Sequence, residues 1–500
     1  MKKLYFLFTI VLIICFAESN AQGIWTPTTA PLAWDRYDDI YFSNADTGWA
    51  ICIYSDYGYL QHSLVLRTYT GGESWDSMNA PSTCFFRDVA FLNNQVGFIG
   101  TLSNNGLSGV DTVIMFKSTD AGLSWGAVTN LPGPRPEGIC GMKTINDSTL
   151  YACGRFYGPA GFFKTTDTGK TWSYKDMDSL AGGLVDAFFF DADTGFVCGG
   201  TLTGFSTNGY GRILYTTDGG DSWQQVMQTT HDSELCWKMS FPSRYVGYAS
   251  IESFRSLPND SQFCLKTIDG GLSWTEIHTC NSAGDPYGFD AQGIGFLNDT
   301  VGWIGGRNNG PPYSFKTTDG GQNWELDSIG ESLNRFRFIN PNLAYFSGET
   351  VYKYTCSPIP IPTISDSGGI LSTQSFNHYQ WYLNGNLIPG ANSSAYSATV
   401  NGYYSVQVAN SNGCIGNSVA WPIGVSDLNN YTNSLLKIYP NPAANSIYAE
   451  GLTIKSPVSI TNSEGKEVMN FIAKTINIQI DISALPAGIY FLNGKKFSKQ

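Results

Sequence analysis

The chain has 500 residues and a formal net charge of −12 at pH 7, with 14% charged and 14% aromatic residues. Such an acidic chain repels nucleic acid phosphates and anionic membranes, so neither is predicted as a partner. The length is ample for a large hydrophobic core. Few charges together with many aromatic residues are typical of a β-rich extracellular protein.

Residues 1–21 have the features of a secretory signal peptide. Two lysines precede an apolar run over residues 4–17, and small or polar residues 19–21 come directly before Gln22. The apolar run is too short to cross a bilayer, and no other transmembrane segment is predicted. The sequence therefore predicts export of a mature chain that begins at Gln22.

One eight-residue turn recurs six times, at a spacing of about 50 residues, which is the signature of a repeat architecture. Its pattern is Ser/Thr-x-Asp-x-Gly-x-Ser/Thr/Asn-Trp, and the first copy has Thr70 in place of the aspartate. Aspartate accepts backbone N–H bonds in a tight turn, glycine allows a positive φ, and tryptophan anchors the next strand. We interpret the recurring aspartates and tryptophans as structural: Asp120, Asp167, Asp218, Asp269, Asp319, Trp75, Trp125, Trp172, Trp223, Trp274 and Trp324.

This turn resembles the Asp-box, or BNR repeat, of sialidases, sortilin-type receptors and photosystem II assembly factors. Alternating apolar residues around each copy predict a four-stranded unit, and repeated units of this kind form a β-propeller. A last hairpin, 336–345, continues to residues 351–354 without a further turn, and Ile24-Trp25 would supply its missing outer strand. The predicted fold is all-β: a seven-bladed Asp-box propeller over residues 22–356, followed by two small β-sandwich modules.

The first of these modules is predicted over residues 357–426. It opens with Ser357-Pro-Ile-Pro-Ile-Pro362, whose prolines favour extended backbone and exclude helix. The stretches Tyr379-Gln-Trp381 and Gly402-Tyr-Tyr404 resemble the Ig-like modules of Bacteroidota surface proteins. This resemblance implies a β-sandwich spacer with Trp381 as its core residue.

The second module, residues 435–500, resembles the type A sorting domain of the type IX secretion system. The residues that carry the resemblance are Ile438-Tyr-Pro440-Asn-Pro442, Gly488-Ile-Tyr490 and Lys495-Lys-Phe-Ser-Lys499. The resemblance implies export by the Sec route and then passage across the outer membrane. It also implies the type IX secretion machinery as a partner, and a secreted or cell-surface location.

Cysteine placement leaves two possibilities open in an oxidising compartment. Cys140 and Cys153, and likewise Cys264 and Cys280, could face each other across a hairpin, or all four could be buried thiols. No Cys–His pair has the spacing of a nucleophile or a zinc site. The Asp-Gly-Gly runs lack the further carboxylates of a calcium loop. Neither a metal nor a cofactor is predicted.

Ligand binding is predicted on the propeller face opposite the Asp-box turns. Aromatic side chains among Gly- and Asn-rich loops can stack on sugar rings or enter a protein partner, although many loop aromatics pack against neighbouring blades instead. Arg155 and Arg307 each follow a glycine at equivalent positions of two repeats. The candidate ligand-binding residues are Arg155, Tyr157, Trp237, Arg255, Tyr287 and Arg307.

Three functions are compatible with these patterns, and the favoured one is a secreted or cell-surface, non-catalytic protein that binds a glycan or an extracellular protein. The second is a glycoside hydrolase of the sialidase or xyloglucanase type. It lacks support because no Arg-Ile-Pro motif occurs and no acid/base carboxylate pair stands out. The third is an assembly or stability factor resembling the photosystem II factor, but a shared fold does not transfer function. No catalytic residue is predicted.

Overall fold

In a computed structural model, the described parts of the chain are residues 23–33, 35–56, 60–80, 85–102, 113–134, 138–154, 158–202, 208–253, 261–281, 290–307, 314–411, 413–424, 437–450, 452, 457–462, 467–473, 475, 477–493 and 495–500. These residues form strands and turns, without a helix among them. The predicted signal peptide lies outside them. The chain divides into two units, residues 1–360 with 409–415, and residues 361–408 with 416–500.

The first unit consists of four-stranded antiparallel sheets, in which alternating side chains bury one strand against the next sheet. Inner strands are almost wholly buried and outer strands are exposed. The chain starts with β1 (Ile24–Pro27). The next strands form six sheets in chain order: β2 (Tyr37–Phe42), β3 (Gly48–Asp56), β4 (Leu60–Thr68) and β5 (Asp76–Met78); β6 (Phe85–Phe91), β7 (Gly97–Leu102), β8 (Met115–Ser118) and β9 (Gly126–Ala127); β10 (Gly141–Thr144), β11 (Leu150–Gly154), β12 (Gly161–Thr165) and β13 (Ser173–Asp176); β14 (Gly183–Phe189), β15 (Gly195–Gly200), β16 (Gly211–Thr216) and β17 (Gln224–Gln228); β18 (Glu234–Ser240), β19 (Gly247–Ser253), β20 (Ser261–Thr267) and β21 (Thr275–Asn281); β22 (Asp290–Phe296), β23 (Gly302–Arg307), β24 (Ser314–Thr317) and β25 (Glu325–Leu326).

A further sheet joins the two ends of this unit. It contains β26 (Phe336–Asn340), β27 (Leu343–Ser347), β28 (Val351–Thr355) and, as its outer strand, β1. The predicted pairing of the two chain ends is confirmed, since Trp25 lies opposite Tyr354. Each inner strand contacts the inner strand of the next sheet, from β2 round to β26 and back to β2. A closed series of four-stranded sheets is a β-propeller, in which the inner edges are short and protected at the centre.

Arg335 is the centre of a buried cluster of charges where the inner strands converge. Its Nε lies 3.0 Å from Asp39, and its Nη2 lies 3.1 Å from Asp88 and 2.7 Å from Asp186. The three carboxylates come from β2, β6 and β14, so one guanidinium joins three sheets. These carboxylate side chains are at most 1% exposed, and the interactions are therefore only weakly screened by solvent.

Two of these carboxylates also accept backbone hydrogen bonds from the neighbouring sheet. Val89 N–H donates to Asp39 Oδ2 at 3.1 Å, and Met239 N–H donates to Asp186 Oδ2 at 2.9 Å. Where the inner strands converge, the carboxylate of one sheet thus accepts from a backbone N–H group of the next sheet that has no partner within its own sheet.

The pKa values of two carboxyl groups of the cluster are shifted in opposite directions. Burial raises the pKa of Asp39, but Arg337 and Arg335 more than compensate and hold it below its usual value. Burial and the adjacent Asp39 charge raise the pKa of Asp88 well above its usual value. Asp88 Oδ1 is buried without a hydrogen-bond partner among the described residues. Burial of an oxygen without a hydrogen bond costs less for a neutral carboxyl group than for a carboxylate.

The eight-residue turns have one repeated hydrogen-bond pattern. In the turn at Asp218, Thr216 Oγ1 donates to Asp218 Oδ1 at 2.8 Å and accepts from Gly220 N–H at 3.0 Å. Asp218 then accepts from the backbone N–H of Ser222 at 2.8 Å and from its hydroxyl at 2.5 Å. The turns of Asp120, Asp167, Asp269 and Asp319 have the same contacts.

In the first turn Thr70 replaces the aspartate and accepts from Ser74 N–H at 2.9 Å. The tryptophan of several turns packs on the preceding sheet, as Trp223 does on Phe162, with ring centroids 5.1 Å apart. Gly220 has a φ of +91°, and a Cβ there would lie 2.2 Å from Phe162. Glycine is therefore needed for its backbone conformation and for the close approach of the neighbouring sheet.

The second unit contains the remaining strands, which fall into two sets. The first set comprises two sheets, β29–β30–β33 and β32–β31–β34–β35 with β36 on β34: β29 (Ser365–Ser367), β30 (Ile370–Ser372), β31 (His378–Leu383), β32 (Asn386–Leu387), β33 (Ala395–Ser397), β34 (Gly402–Ala409), β35 (Ile415–Asn417) and β36 (Trp421–Ile423). Trp381 is fully buried there, as predicted for the core residue, and its indole N–H donates to Ser393 O at 2.9 Å.

The last strands form two sheets, β37–β38–β41 and β40–β39–β42–β43, around a core that includes Ile447, Val458 and Phe497. Their bounds are β37 (Lys437–Tyr439), β38 (Ser446–Glu450), β39 (Pro457–Asn462), β40 (Glu467–Ile472), β41 (Asn477–Asp481), β42 (Gly488–Leu492) and β43 (Lys495–Lys499).

The cysteines follow the buried-thiol alternative within the propeller. Cys140, Cys153, Cys264 and Cys280 are free, like three other described cysteines, Cys52, Cys198 and Cys236. A disulfide joins Cys356 to Cys414 within the first unit. No sequence pattern indicated this bond, because its partners lie in segments that the predicted domain boundary separates.

Replacing Arg335 with methionine is expected to reduce the free energy of unfolding by about 3–5 kcal/mol, because the buried carboxylates of Asp39 and Asp186 lose a counter-charge. Urea unfolding of the purified chain, followed by tryptophan fluorescence, would measure the loss. The exposed control Lys175→Met should change stability by less than about 0.5 kcal/mol. Equal stability of the two variants would contradict the role assigned to Arg335.

Asp88→Asn should change stability at pH 7 by less than about 1 kcal/mol, whereas Asp186→Asn should cost about 2 kcal/mol because an ionised hydrogen-bond partner is lost. A raised folded-state pKa makes stability fall as pH rises above the unfolded pKa of about 4, so Asp88→Asn should flatten that decline. Urea unfolding at pH 4 to 8 would test both variants. A larger loss of unfolding free energy at pH 7 for Asp88→Asn than for Asp186→Asn would contradict the raised pKa of Asp88.

Asp218→Asn is expected to lower the Tm at pH 7 by roughly 2 °C. Hydrogen bonds from the Ser222 side chain and backbone, and from Thr216, hold the pKa of Asp218 at about 2. Its stabilisation is therefore present above pH 4 and is lost as pH falls towards 2. Thermal unfolding at pH 2 to 7 should show a weaker pH dependence for this variant.

The matched control is Asp221→Asn in the same turn, since the Asp221 carboxylate has no hydrogen bond to any part of the chain that is described. Asp221→Asn should show the same change of Tm with pH as the wild-type protein. Identical profiles for the two variants would show that the turn does not depend on Asp218.

Candidate functional site

The propeller has two edges of different character. In each antiparallel sheet the turns between the first and second strands and between the third and fourth strands share one edge, which we call the turn edge. The other connections share the opposite edge, which we call the loop edge. The eight-residue turns all lie on the turn edge, together with short turns such as that of Asn44, which accepts from Asp46 and Thr47 N–H.

The loop edge has no such repeated pattern. Its connections between second and third strands range from residues 57–59, between β3 and β4, to residues 103–114, between β7 and β8. Regular turns on one edge and variable loops on the other are typical of a scaffold that presents a binding surface.

Five of the six predicted ligand-binding side chains are outside the described part of the structure. They are Arg155, Tyr157, Arg255, Tyr287 and the side chain of Arg307, whose backbone ends β23 opposite Asp290. In the sequence, these residues fall at or after strand ends whose connections run to the loop edge, and their role in binding stays a prediction.

Trp237 is described, and its position differs from the exposed loop expected for it. It lies within β18, only 2% exposed, and its indole N–H donates to Asn334 Oδ1 at 3.1 Å. The Arg87 guanidinium lies 5.4 Å from the ring centroid. The physical reason is a register shift between Cys236 and Met239, which inserts one extra residue into β18 and directs Trp237 into the centre.

Equivalent register shifts occur near the start of β2, β6, β14 and β22. Because inner strands begin at the loop edge, the bulged residues form a layer across the centre of the propeller near that edge. We call this the bulge layer, and it includes Asp38, Arg87, Trp237 and Gln292.

Ion pairs and hydrogen bonds hold the bulge layer together. Asp38 Oδ1 lies 3.2 Å from Arg36 Nε and 2.6 Å from Arg87 Nη1. Burial lowers the pKa of Arg36, and the Asp38 charge offsets part of that effect. Burial also acts to lower the pKa of Arg87, but Asp38, Cys140 and Glu252 together outweigh it, and the pKa is raised. Arg36 also donates to Gln292, which donates to Glu252. The layer therefore forms a buried polar floor beneath the loops.

This floor and the Arg335 cluster beside it were not predicted from the sequence. The available signal was the run Arg36-Tyr-Asp-Asp39 on a predicted inner strand, where alternation should place apolar residues. Charged residues on a buried strand require partners, which the sequence alone does not locate.

One further cluster combines metal-binding side chains. His231 lies in the connection between β17 and β18, Glu234 begins β18, and Glu276 lies on β21. One donor atom from each lies within 4.8 Å of the others. Among the described residues this is the one group of three or more histidine, cysteine or acidic side chains with such spacing.

Comparisons with known proteins match both parts of the chain. Residues 437–500 match the family described as "Secretion system C-terminal sorting domain". The chain is 23% identical over 359 residues to the photosystem II assembly lipoprotein Ycf48 of Synechococcus sp. (strain CC9902), covering 68% of this chain and 93% of that protein. No described helix is long and apolar enough to span a membrane.

Solved structures with a similar strand arrangement include YCF48 bound to a D1 peptide, with a TM-score of 0.46, 17% identity, and coverage of 67% of this chain and 97% of that one. A GH74 enzyme of Niastella koreensis has a TM-score of 0.45 and 14% identity, and the match covers 94% of this chain and 86% of that enzyme's chain. The sorting-domain match indicates export by the type IX secretion system to the cell surface or beyond it. The chain is thus an exported, all-β propeller protein with a C-terminal secretion sorting domain.

Proposed function

We propose that this protein is a non-catalytic recognition protein, secreted or held at the cell surface, whose propeller binds a glycan or an extracellular protein through its loop edge. The observation that carries the proposal is the contrast between the two edges. The turn edge repeats one hydrogen-bonded structure in six of the seven sheets, with Thr70 in place of the aspartate in one of them, whereas the loop edge varies from sheet to sheet.

The filled centre also supports recognition on the surface loops rather than in an axial channel. Arg335 and its three carboxyl partners, at most 7% exposed, occupy the centre. The bulge layer covers them towards the loop edge, with Arg36, Asp38 and Arg87 similarly buried. A ligand would therefore contact the loops above this floor, which is where the arginine and tyrosine candidates follow their strands.

Asp38, Asp39 and Asp186 in the described centre are already engaged in ion pairs with arginine, which favours a structural role for them over acid/base chemistry. A glycoside hydrolase would need two loop carboxyl groups about 5–10 Å apart, facing a bound sugar. The following experiment distinguishes the proposal from the hydrolase hypothesis and from the assembly-factor hypothesis.

The mature chain should be tested on a glycan array and in polysaccharide pull-downs, with a hydrolysis assay on the same sugars. Binding without turnover is the expected result. Arg155→Ala and Arg307→Ala should each weaken binding about tenfold, equivalent to about 1.4 kcal/mol for a charge-assisted contact.

The matched control is Arg244→Ala, because Arg244 is an exposed arginine in the turn between β18 and β19 and therefore lies on the turn edge. Its affinity should equal that of the wild type. Turnover of any sugar would contradict the non-catalytic proposal. An equal loss in all three variants would contradict binding at the loop edge. If no sugar binds, the same variants would be compared for capture of purified surface proteins.

A further inference from the structure

We propose that His231, Glu234 and Glu276 form a binding site for one divalent transition-metal ion, with Zn²⁺ as the best-fitting ion. His231 Nδ1 lies 3.5 Å from Glu276 Oε2 and 3.8 Å from Glu234 Oε1. Two ligands bound to one tetrahedral ion at about 2.1 Å are separated by about 3.4 Å. His231 Nδ1 thus needs to move by only a few tenths of an ångström relative to either carboxylate. The two carboxylate oxygens lie within 4.8 Å of each other and would need to approach by at most about 1.4 Å to share an ion.

Neighbouring groups already orient two of the three ligands. The backbone N–H and the hydroxyl of Thr230 each donate to a different oxygen of Glu276, both at 2.6 Å. The His231 ring stacks on Phe263, with centroids 5.0 Å apart and an interplanar angle of 18°. Such outer contacts fix the direction of a ligand before the metal binds, which reduces the entropy lost on binding.

Burial differs among the ligands in a way that suits a partly closed site. The side chain of Glu234 is 1% exposed, that of Glu276 is 11% exposed and that of His231 is 36% exposed. A cation can enter past His231, and Glu234 forms the closed side. A divalent ion would neutralise the two adjacent carboxylates, whose mutual repulsion is strong where water is excluded.

The donor set selects the class of ion. One imidazole nitrogen with two carboxylate oxygens suits Zn²⁺ and similar transition metals. Calcium takes six to eight oxygen ligands, and magnesium requires an octahedral set rich in oxygen, so neither fits these three groups as well. Three protein ligands leave a fourth position for water.

The consequence for the fold is a link between two neighbouring sheets. The segment after β17 would be joined to β21, the outer strand of the next sheet, and to β18. Because the ion binds only when all three groups are assembled, it would stabilise the folded propeller and hold this loop in one conformation.

The test uses the full exported chain, stripped with EDTA and dialysed, and titrated with Zn²⁺ by calorimetry. We expect one ion per chain and a higher Tm when the site is saturated. His231→Ala and Glu276→Gln should each lower the affinity for Zn²⁺ at least tenfold. Glu325→Gln and His378→Gln are matched controls, because Glu325 is an exposed outer-strand glutamate and His378 an exposed histidine elsewhere. Neither should change the affinity.

Co²⁺ provides a second measurement that does not depend on the variants folding. Binding to nitrogen and oxygen ligands gives visible d–d bands without the intense near-ultraviolet thiolate band, so it distinguishes this cluster from the free cysteines. The proposal is overturned by a thiolate band for the bound ion, by absence of binding, or by unchanged affinity in folded His231→Ala. Sugar or protein binding by the loop edge is measured separately and can fail or succeed independently.

Discussion

The contact of Arg335 with carboxyl groups from three different sheets is the interaction on which the propeller centre depends. Burying ions is costly, and the cost is offset only when each ion meets an opposite charge and its remaining polar atoms are bonded. Asp39 and Asp186 meet this condition through arginine and through backbone donors of the next sheet. Asp88 differs, because burial and the adjacent Asp39 charge raise its pKa well above the usual value, which favours its neutral form. The inner strands can therefore approach one another closely around these charged groups.

Contacts between sheets are repeated at the turn edge. Tyr151 donates to Ala192 O at 2.7 Å, and Lys164 donates to Gly219 O at 3.3 Å, both across a sheet boundary. A Cβ on Gly220 would collide with the ring of Phe162. A substitution in one turn therefore alters the packing of two sheets. The loop edge is free of this constraint, so variation there has little effect on the ring and is available for recognition.

The difference between local and long-range contacts explains which parts of the candidate site could be predicted. Alternation and turn chemistry act over a few residues, so the strands around each eight-residue turn and the pairing of Trp25 with Tyr354 followed from the sequence. A bulge, in contrast, is defined by an extra residue relative to the partner strand. The alternation around Trp237 therefore showed no sign that its side chain enters the centre.

The sequence by itself determined the all-β class, the repeated turns, the joining of the two chain ends and the C-terminal sorting domain, because each depends on local patterns that recur or are specific. Only the tertiary structure decided which charges meet at the centre, that Trp237 is buried, that Cys356 pairs with Cys414, and that His231, Glu234 and Glu276 converge. Those outcomes depend on how separate sheets are brought together. Residues distant in sequence then become neighbours, and no local pattern records which ones.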